Sequence, residues 1–320
     1  MNMNELTMLQ ALPLDLKIAK TKLRIREWVD YYGVENVYIS FSGGKDSTVL
    51  LDLVRSEYPD IPAVFVDTGL EYPELKEFVN SFDNVTILRP KLSFKQVIEK
   101  YGYPIISKEQ SRYLYDVRHG TEKMKNLRLN GTEQGNFKLS KKYYYLIDAP
   151  FEISNKCCDV MKKQPLKAYE KQTGKKPFIG IMADESNMRT RNYLKYGCNS
   201  FDLKSPSSKP LSFWRQQDIL EYIYINKLEI APVYGDIIKE DDLFRTTGCN
   251  RTGCIFCGYG LHLEKEPNRF QMLEETHPQL HKYCMENLGF KEVCEFMNIP
   301  YKNEEGNEED ISKIDDNKGE

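Results

Sequence analysis

A short apolar run, NVYISF, leads directly into Ser42-Gly43-Gly44-Lys45-Asp46-Ser47 and on into STVLLDLVRSEYP, whose Val49, Leu50, Leu53 and Val54 share one helical face. The order is buried-type strand, glycine turn, amphipathic helix. Such a unit aims the first N–H groups of the helix, and the positive end of its dipole, at whatever lies over the loop, so it selects for an anion. Two adjacent glycines let the backbone approach oxygen atoms closely. The spacing is not that of a Walker A loop, because GxxxxGK[ST] would need glycine at Ile39 and Ser or Thr at Asp46. The machinery of γ-phosphate transfer is therefore not indicated.

The same alternation continues. A second strand, PAVFVD, is followed by Thr68-Gly69-Leu70-Glu71 and a helix from about Pro73 to Phe82, and a third strand, VTILRP, completes a βαβαβ pattern. A chain with that pattern builds an open parallel sheet with helices on its faces. Ahead of it, Leu16, Ala19, Leu23 and Trp28 predict a leading helix that stops at Gly33. Behind it, a helix is expected near Phe94 to Tyr101, then a polar, basic and aromatic insertion ending in KLSKKYYYL. Regular pattern returns in PLKAYEKQTG, KPFIGIMA and Trp214 to Asn226, and helix is expected again from about Glu274. The fold class read from this is α/β, a Rossmann-like open parallel sheet with flanking helices and a cysteine-rich, helical C-terminal region. The divisions expected are a leading helical segment at 1–34, the nucleotide-binding α/β domain at 35–240 with a basic insertion at about 108–150, the cysteine-rich region at 241–300, and a tail at 301–320.

Composition narrows the setting. With 40% hydrophobic and 29% charged residues in 320, the chain has the balance of a globular protein. No apolar run reaches the ~18 to 20 residues of a membrane span, and MNMNELTMLQALPLDLK lacks the basic and apolar regions of a signal peptide, so a cytoplasmic location without membrane association is expected. The net charge of −3 is uneven: residues 301–320 hold eight acids and three lysines, a composition that predicts disorder. Residues 108–176 hold sixteen Lys/Arg against eight Asp/Glu, and with Tyr143 to Tyr145 they could face a polynucleotide or remain a solvated insertion.

Cys249, Cys254 and Cys257 form Cx4CxxC inside GCNRTGCIFCGYG, where glycines let the backbone wrap a compact centre and the CxxC pair can chelate one ion or cluster. Cys198, Cys284 and Cys294 stand alone and read as core residues, and His262 as a surface or capping histidine.

The intact SGGKDS at Ser42 to Ser47 resembles the signature of the PP-loop ATP pyrophosphatases (the PP-loop, or HUP, type of fold), and within them the phosphoadenosine phosphosulfate reductase family. Four further segments carry that resemblance: Val66-Asp67-Thr68-Gly69-Leu70-Glu71-Tyr72-Pro73; Cys157-Cys158 ahead of Lys162 and Pro165-Leu166; Gly180 to Arg189, which is similar to GxRxxES/QSxxR; and Pro210 to Asp218, which is similar to PLxxWxxxD. The resemblance implies that Ser42, Gly43, Gly44, Lys45, Asp46 and Ser47, with Asp67, Thr68, Gly69 and Ser186, bind ATP or a related adenine nucleotide. It implies that Lys45, Asp46, Glu185 and Arg189 serve catalysis, Glu185 as a Mg²⁺-compatible carboxylate and Arg189 as a phosphate-binding guanidinium. For Asp67-Thr68 the plainer reading is a helix cap. It also implies a [4Fe–4S] cluster on four of Cys157, Cys158, Cys249, Cys254 and Cys257, with a zinc ion as the rival occupant.

Two departures bear on the reaction. The ECGLH motif that carries the nucleophilic cysteine of the sulfonucleotide reductases has no counterpart, and Met182 stands where the GxR arginine would meet the anion. The leading expectation is thus cleavage of ATP at the α-phosphate to AMP and pyrophosphate, for adenylation and sulfur transfer, with a nucleic-acid acceptor and a sulfur-donor protein as implied partners. The alternatives are a phosphoadenosine or adenosine phosphosulfate reductase that releases sulfite, and a non-catalytic nucleotide-binding partner in a defence or nucleic-acid modification system.

Overall fold

The computed structural model describes residues 2–303, which fall into two compact units, one of the residues up to 97 with 156–255 and the other of 98–155 with those from 256 on. From residue 304 on, the acidic tail expected at 301–320 lies outside the described residues.

In chain order, helices α1 (Met3–Gln10) and α2 (Leu14–Tyr32) precede β1 (Val37–Ser40), α3 (Lys45–Arg55), β2 (Ala63–Val66), α4 (Pro73–Asn80) and β3 (Val85–Leu88). Helix α5 (Phe94–Tyr101) carries the chain into the second unit, which begins with β4 (Ile105–Ile106), α6 (Lys108–His119) and α7 (Glu122–Asn130). The chain returns to the first unit with α8 (Gln164–Thr173), β5 (Lys176–Ile179), α9 (Asn187–Tyr196), β6 (Asn199–Ser200), β7 (Ser207–Ser208), α10 (Gln216–Asn226), β8 (Ile237–Glu240) and β9 (Leu243–Thr246). It closes in the second unit with β10 (Gly258–Tyr259), α11 (Arg269–Thr276), α12 (Pro278–Lys282) and α13 (Phe290–Phe296).

The first unit is an α/β fold on a six-stranded sheet of order β3-β2-β1-β5-β7-β6, parallel except for the β6–β7 pair. From β1 the chain runs outward through β2 to β3, and later resumes on the other side of β1 with β5. The strand order therefore reverses between β1 and β5, the point where open parallel sheets leave a crevice at their carboxyl ends. Val37, Ile39, Phe65 and Phe178 from the strands join Trp28, Leu50, Leu53, Val54 and Trp214 from the helices in one buried core. Helices α2 and α10 both pack on α3. Beneath them the ammonium of Lys17 sits 2.6 Å from Asp218 and also donates to the carbonyl of Gln10, so α2, α10 and the end of α1 are tied by a buried charge pair.

The observed divisions depart from those at residues 34 and 240. The leading helices belong to the α/β unit because Leu6, Ile25, Trp28 and Val29 are in its core. The β8–β9 hairpin belongs there too: the Gln217 side-chain amide both accepts from and donates to the Phe244 backbone. The second unit joins β4 and β10 in a parallel pair, and in it Tyr103 donates to the Leu288 carbonyl. The basic stretch 108–176 is consequently shared between two units rather than forming one insertion. Lys162 lines a cavity of the first unit, and Lys175 donates to the Glu35 carbonyl there.

Candidate active site

The loop after β1 is shaped by its own hydroxyls. Ser42 Oγ and Ser47 Oγ are 3.0 Å apart, the Ser42 N–H points to Ser47 Oγ, and Ser47 Oγ donates to the Gly44 carbonyl at 2.8 Å. Gly43 adopts a left-handed φ of +73°, where a side chain would also strike Leu75 and Val79. Helix α3 starts at Lys45 with Gly44 as its N-cap, leaving the first-turn amides without intrahelical partners. Gly180, just past β5, brings a second chain segment against this turn: a Cβ there would lie 3.0 Å from the Asp46 carbonyl oxygen. Strand β5 ends at Ile179, short of the full KPFIGIMA run expected from sequence.

These elements enclose a cavity of about 300 Å³ at the carboxyl ends of β1 and β2, lined by Ser42, Gly44, Lys45, Asp46 and Ser47, by Glu71 and Lys162, and by Glu185, Tyr234, Arg251 and Thr252. Its charged groups are Lys45, Lys162 and Arg251 against Asp46, Glu71 and Glu185. Lys45 is buried, donates to the Asn250 carbonyl, and lies 4.6 Å from the centre of the Tyr234 ring. Burial lowers its ammonium pKa, Arg251 adds to that, and Asp46 and Cys249 oppose it. Burial raises the Asp46 carboxyl, against the pull of Lys45, Arg251 and Arg189. Lys162 stands in a π-helical turn, Asp159–Lys163. Burial lowers its ammonium, but the Cys254 charge and hydrogen bond, Glu71 and Cys158 outweigh that and raise it.

Of the residues named from sequence, Ser42, Gly44, Lys45, Asp46, Ser47 and Glu185 line the cavity. Asp67, Thr68 and Gly69 follow β2 but are tied up locally: Asp67 pairs with Lys76 at 2.9 Å and accepts from the Gly69 N–H, and Thr68 Oγ1 donates to Glu71 at 2.6 Å. Glu71, from the same segment, is the member that lines the pocket. Ser186 caps α9 by accepting from the Arg189 N–H. Arg189 donates to Glu185 Oε2, which also accepts from the Met182 N–H, while Arg251 stands 3.7 Å from Glu185 Oε1. Glu185 thus accepts from Arg189 and lies within ion-pair reach of Arg251, and Asp46 is the cavity carboxylate next to the loop.

The cysteines are distributed as follows. Cys254 and Cys158 neighbour Lys162, and Cys249 bonds Tyr72, with burial raising its thiol. Cys257 belongs to the second unit, where its carbonyl accepts from Arg269. Among the described residues no three or more of His, Cys, Asp and Glu are gathered so as to hold a metal ion. Cys198, Cys284 and Cys294 are in the cores, as expected; burial pushes the Cys198 and Cys294 thiols up to about 12 and raises that of Cys284 as well. His262 bonds the Tyr143 hydroxyl at 2.9 Å. No helix among the described residues is long and apolar enough to cross a membrane.

Arg251 and Thr252 were not singled out from sequence, because they sit between Cys249 and Cys254 in a segment that reads as a metal motif. Lys162 and Glu71 appeared only as neighbours of other motifs.

Comparison with known proteins gives a consistent family. The model of the phosphoadenosine phosphosulfate reductase domain matches residues 36–129 and 105–258. An uncharacterised protein of Methanocaldococcus jannaschii is 26% identical over 247 residues, covering 75% of this chain and 44% of that protein. The adenosine 5′-phosphosulfate reductase of Geobacillus kaustophilus is 25% identical over 193 residues, covering 60% of this chain and 64% of that enzyme. The chain therefore spans less than two thirds of either relative. Among solved structures, the phosphoadenylyl-sulfate reductase of Candida auris in its phosphate complex is 15% identical with a TM-score of 0.41, covering 72% of this chain and 90% of that one.

Proposed function

The chain belongs to the phosphoadenosine phosphosulfate reductase domain family, and from that premise we propose that it is an enzyme acting at the α-phosphorus of an adenine nucleotide held over Ser42 to Ser47. The observation that carries the reading is the convergence of Lys45, Lys162 and Arg251 with the serine-glycine turn on one cavity at the reversal of the strand order. In the proposed reaction an acceptor nucleophile forms a bond to the α-phosphorus of ATP, the α,β-bridging bond breaks, and pyrophosphate leaves. Negative charge grows on that leaving group, and fixed cations with oriented amides stabilise it without reorganising. Mg²⁺, entering on the nucleotide phosphates with Asp46 as its carboxylate, would add further neutralisation. Sulfur transfer to the adenylated acceptor, with a sulfur donor and a cysteine-held cluster, is the finer part of the proposal and rests on the resemblance.

A second reading, reduction of a sulfonucleotide to sulfite, is favoured by the name of the Geobacillus relative. It requires a reactive thiolate. The lone cysteines outside the Cx4CxxC segment and the tandem pair, Cys198, Cys284 and Cys294, are buried with raised thiols. Chromatography of the products from α-labelled ATP and, in parallel, labelled adenosine phosphosulfate tests both readings. AMP with pyrophosphate is expected; thioredoxin-dependent sulfite promotes the second reading, and ADP with phosphate overturns both.

A further inference from the structure

We propose that Arg251 is the residue that reads the oxyanion attached beyond the α-phosphorus, in place of the arginine missing at position 182; this rests on the adenine nucleotide reading of the site. Met182 is 1% exposed and part of the hydrophobic core, so no cation reaches the cavity from that position. Arg251 reaches it from another part of the chain. The Cys249–Cys254 loop lies against the phosphate turn: a side chain on Gly44 would begin 3.4 Å from the Tyr234 hydroxyl and 3.9 Å from that of Thr252.

The loop is held firmly. Lys45 donates to the Asn250 carbonyl, Gln216 donates to the Asn250 side chain at 2.6 Å, and Thr252 and Tyr234 share a hydrogen bond of 2.5 Å. At its two ends the Cys249 N–H donates to Val233 and the Ile255 N–H to Leu70. A rigid loop can aim a long side chain at a fixed point. The side chain of Arg251 is 58% exposed, and its ion pair is the 3.7 Å approach to Glu185, a carboxylate already bound at close range by Arg189. Most of its five N–H donors therefore remain available to a ligand. A planar fork of donors matches a phosphate or sulfate group in a two-pronged contact, which a lysine cannot reproduce. Its charge also acts on Lys45 and Arg189, and three neighbouring cations are relieved by an anion placed among them. The ligand chemistry is a tetrahedral oxyanion joined to the α-phosphate, either the pyrophosphate end of ATP or the sulfate of adenosine phosphosulfate.

Calorimetric titration of the full chain with ATP, adenosine phosphosulfate and AMP tests this. For Arg251→Ala, affinity for ATP, adenosine phosphosulfate or both is expected to fall about tenfold or more, while AMP stays within about twofold, as the loss of one charge-assisted two-pronged contact requires. Arg251→Lys, which keeps the charge and loses the fork, should fall between. Whichever ligand loses affinity identifies the oxyanion. Equal weakening of all three ligands, or no change in any while Lys45→Ala abolishes binding, overturns the role of Arg251 and leaves the nucleotide site standing. A wild-type chain that binds none of the three overturns the nucleotide reading itself, and this inference with it.

Discussion

Replacing Gly180 by alanine drives a methyl group into the wall of the phosphate turn. Built on the backbone, that carbon lies 3.0 Å from the Asp46 carbonyl oxygen, 3.2 Å from its carbonyl carbon and 3.2 Å from the Ser47 Cα. All three are backbone atoms at the start of α3, so no flexible tip can swing away. Either the end of β5 or the first turn of α3 must retreat by a few tenths of an ångström. Overpacking of this kind costs about 1–3 kcal/mol. At about 2–4 °C per kcal/mol for a unit of roughly 200 residues, Tm should drop by about 2–12 °C. The same movement separates Ser47 from Ser42, whose hydroxyls are 3.0 Å apart, and loosens the anion site. The loss of one ordinary hydrogen bond, about 0.5–1.5 kcal/mol, corresponds to about 2- to 12-fold in ATP affinity. Thermal melting and calorimetric titration of Gly180→Ala read the two effects separately. An unchanged Tm together with unchanged ATP affinity would refute the claim that glycine is required there by close approach.

Asp46→Asn is expected to raise Tm above pH 7, because burial raises the Asp46 carboxyl in spite of its cationic neighbours. The folded state holds that proton more tightly than the unfolded one, so wild-type stability is fullest below the ordinary carboxylate pKa and declines as pH rises through the raised value; the variant's advantage should shrink as pH falls through that window in melts recorded across pH. Asp218→Ala strands the Lys17 ammonium, whose side chain is 2% exposed, and should cost about 3–5 kcal/mol in denaturant unfolding, against a small effect for replacing the exposed Arg245–Glu240 pair. Anaerobically purified protein should contain iron and sulfide in equal amounts, lost in Cys254→Ser and Cys257→Ser; a colourless protein with zinc would replace the cluster by zinc, and neither metal would remove the finer part of the proposal.

The parts of the fold that could be read from sequence are those where local chemistry and burial agree. SGGKDS sits between a strand that is a continuous buried run and a helix with one apolar face, and the turn lies where that order placed it. Strands β6 and β7 were not legible: each is two residues long, and Asn199, Ser200, Ser207 and Ser208 have no apolar alternation to mark them. The site was legible only where contributors are neighbours in sequence. Arg251 and Lys45, roughly two hundred residues apart, line one cavity, and the position of Arg251 depends on a loop fixed through Asn250 and Thr252, which no spacing rule encodes. Conversely, Asp67-Thr68-Gly69 has the composition of a phosphate-facing turn, yet Lys76 and Glu71 satisfy its polar groups from within the first unit. Composition showed which groups were available, and only the packing showed which were already partnered.

The central claim is that the Ser42–Ser47 turn and Lys45 hold an adenine nucleotide. Calorimetric titration of ATP into the wild-type chain and into Lys45→Ala tests it most directly, since Lys45 belongs to the turn and is buried at the cavity. A measurable wild-type affinity that falls about 10-fold or more in the variant, with the melting transition still cooperative, is the predicted result. Equal ATP affinity in the two proteins would contradict it.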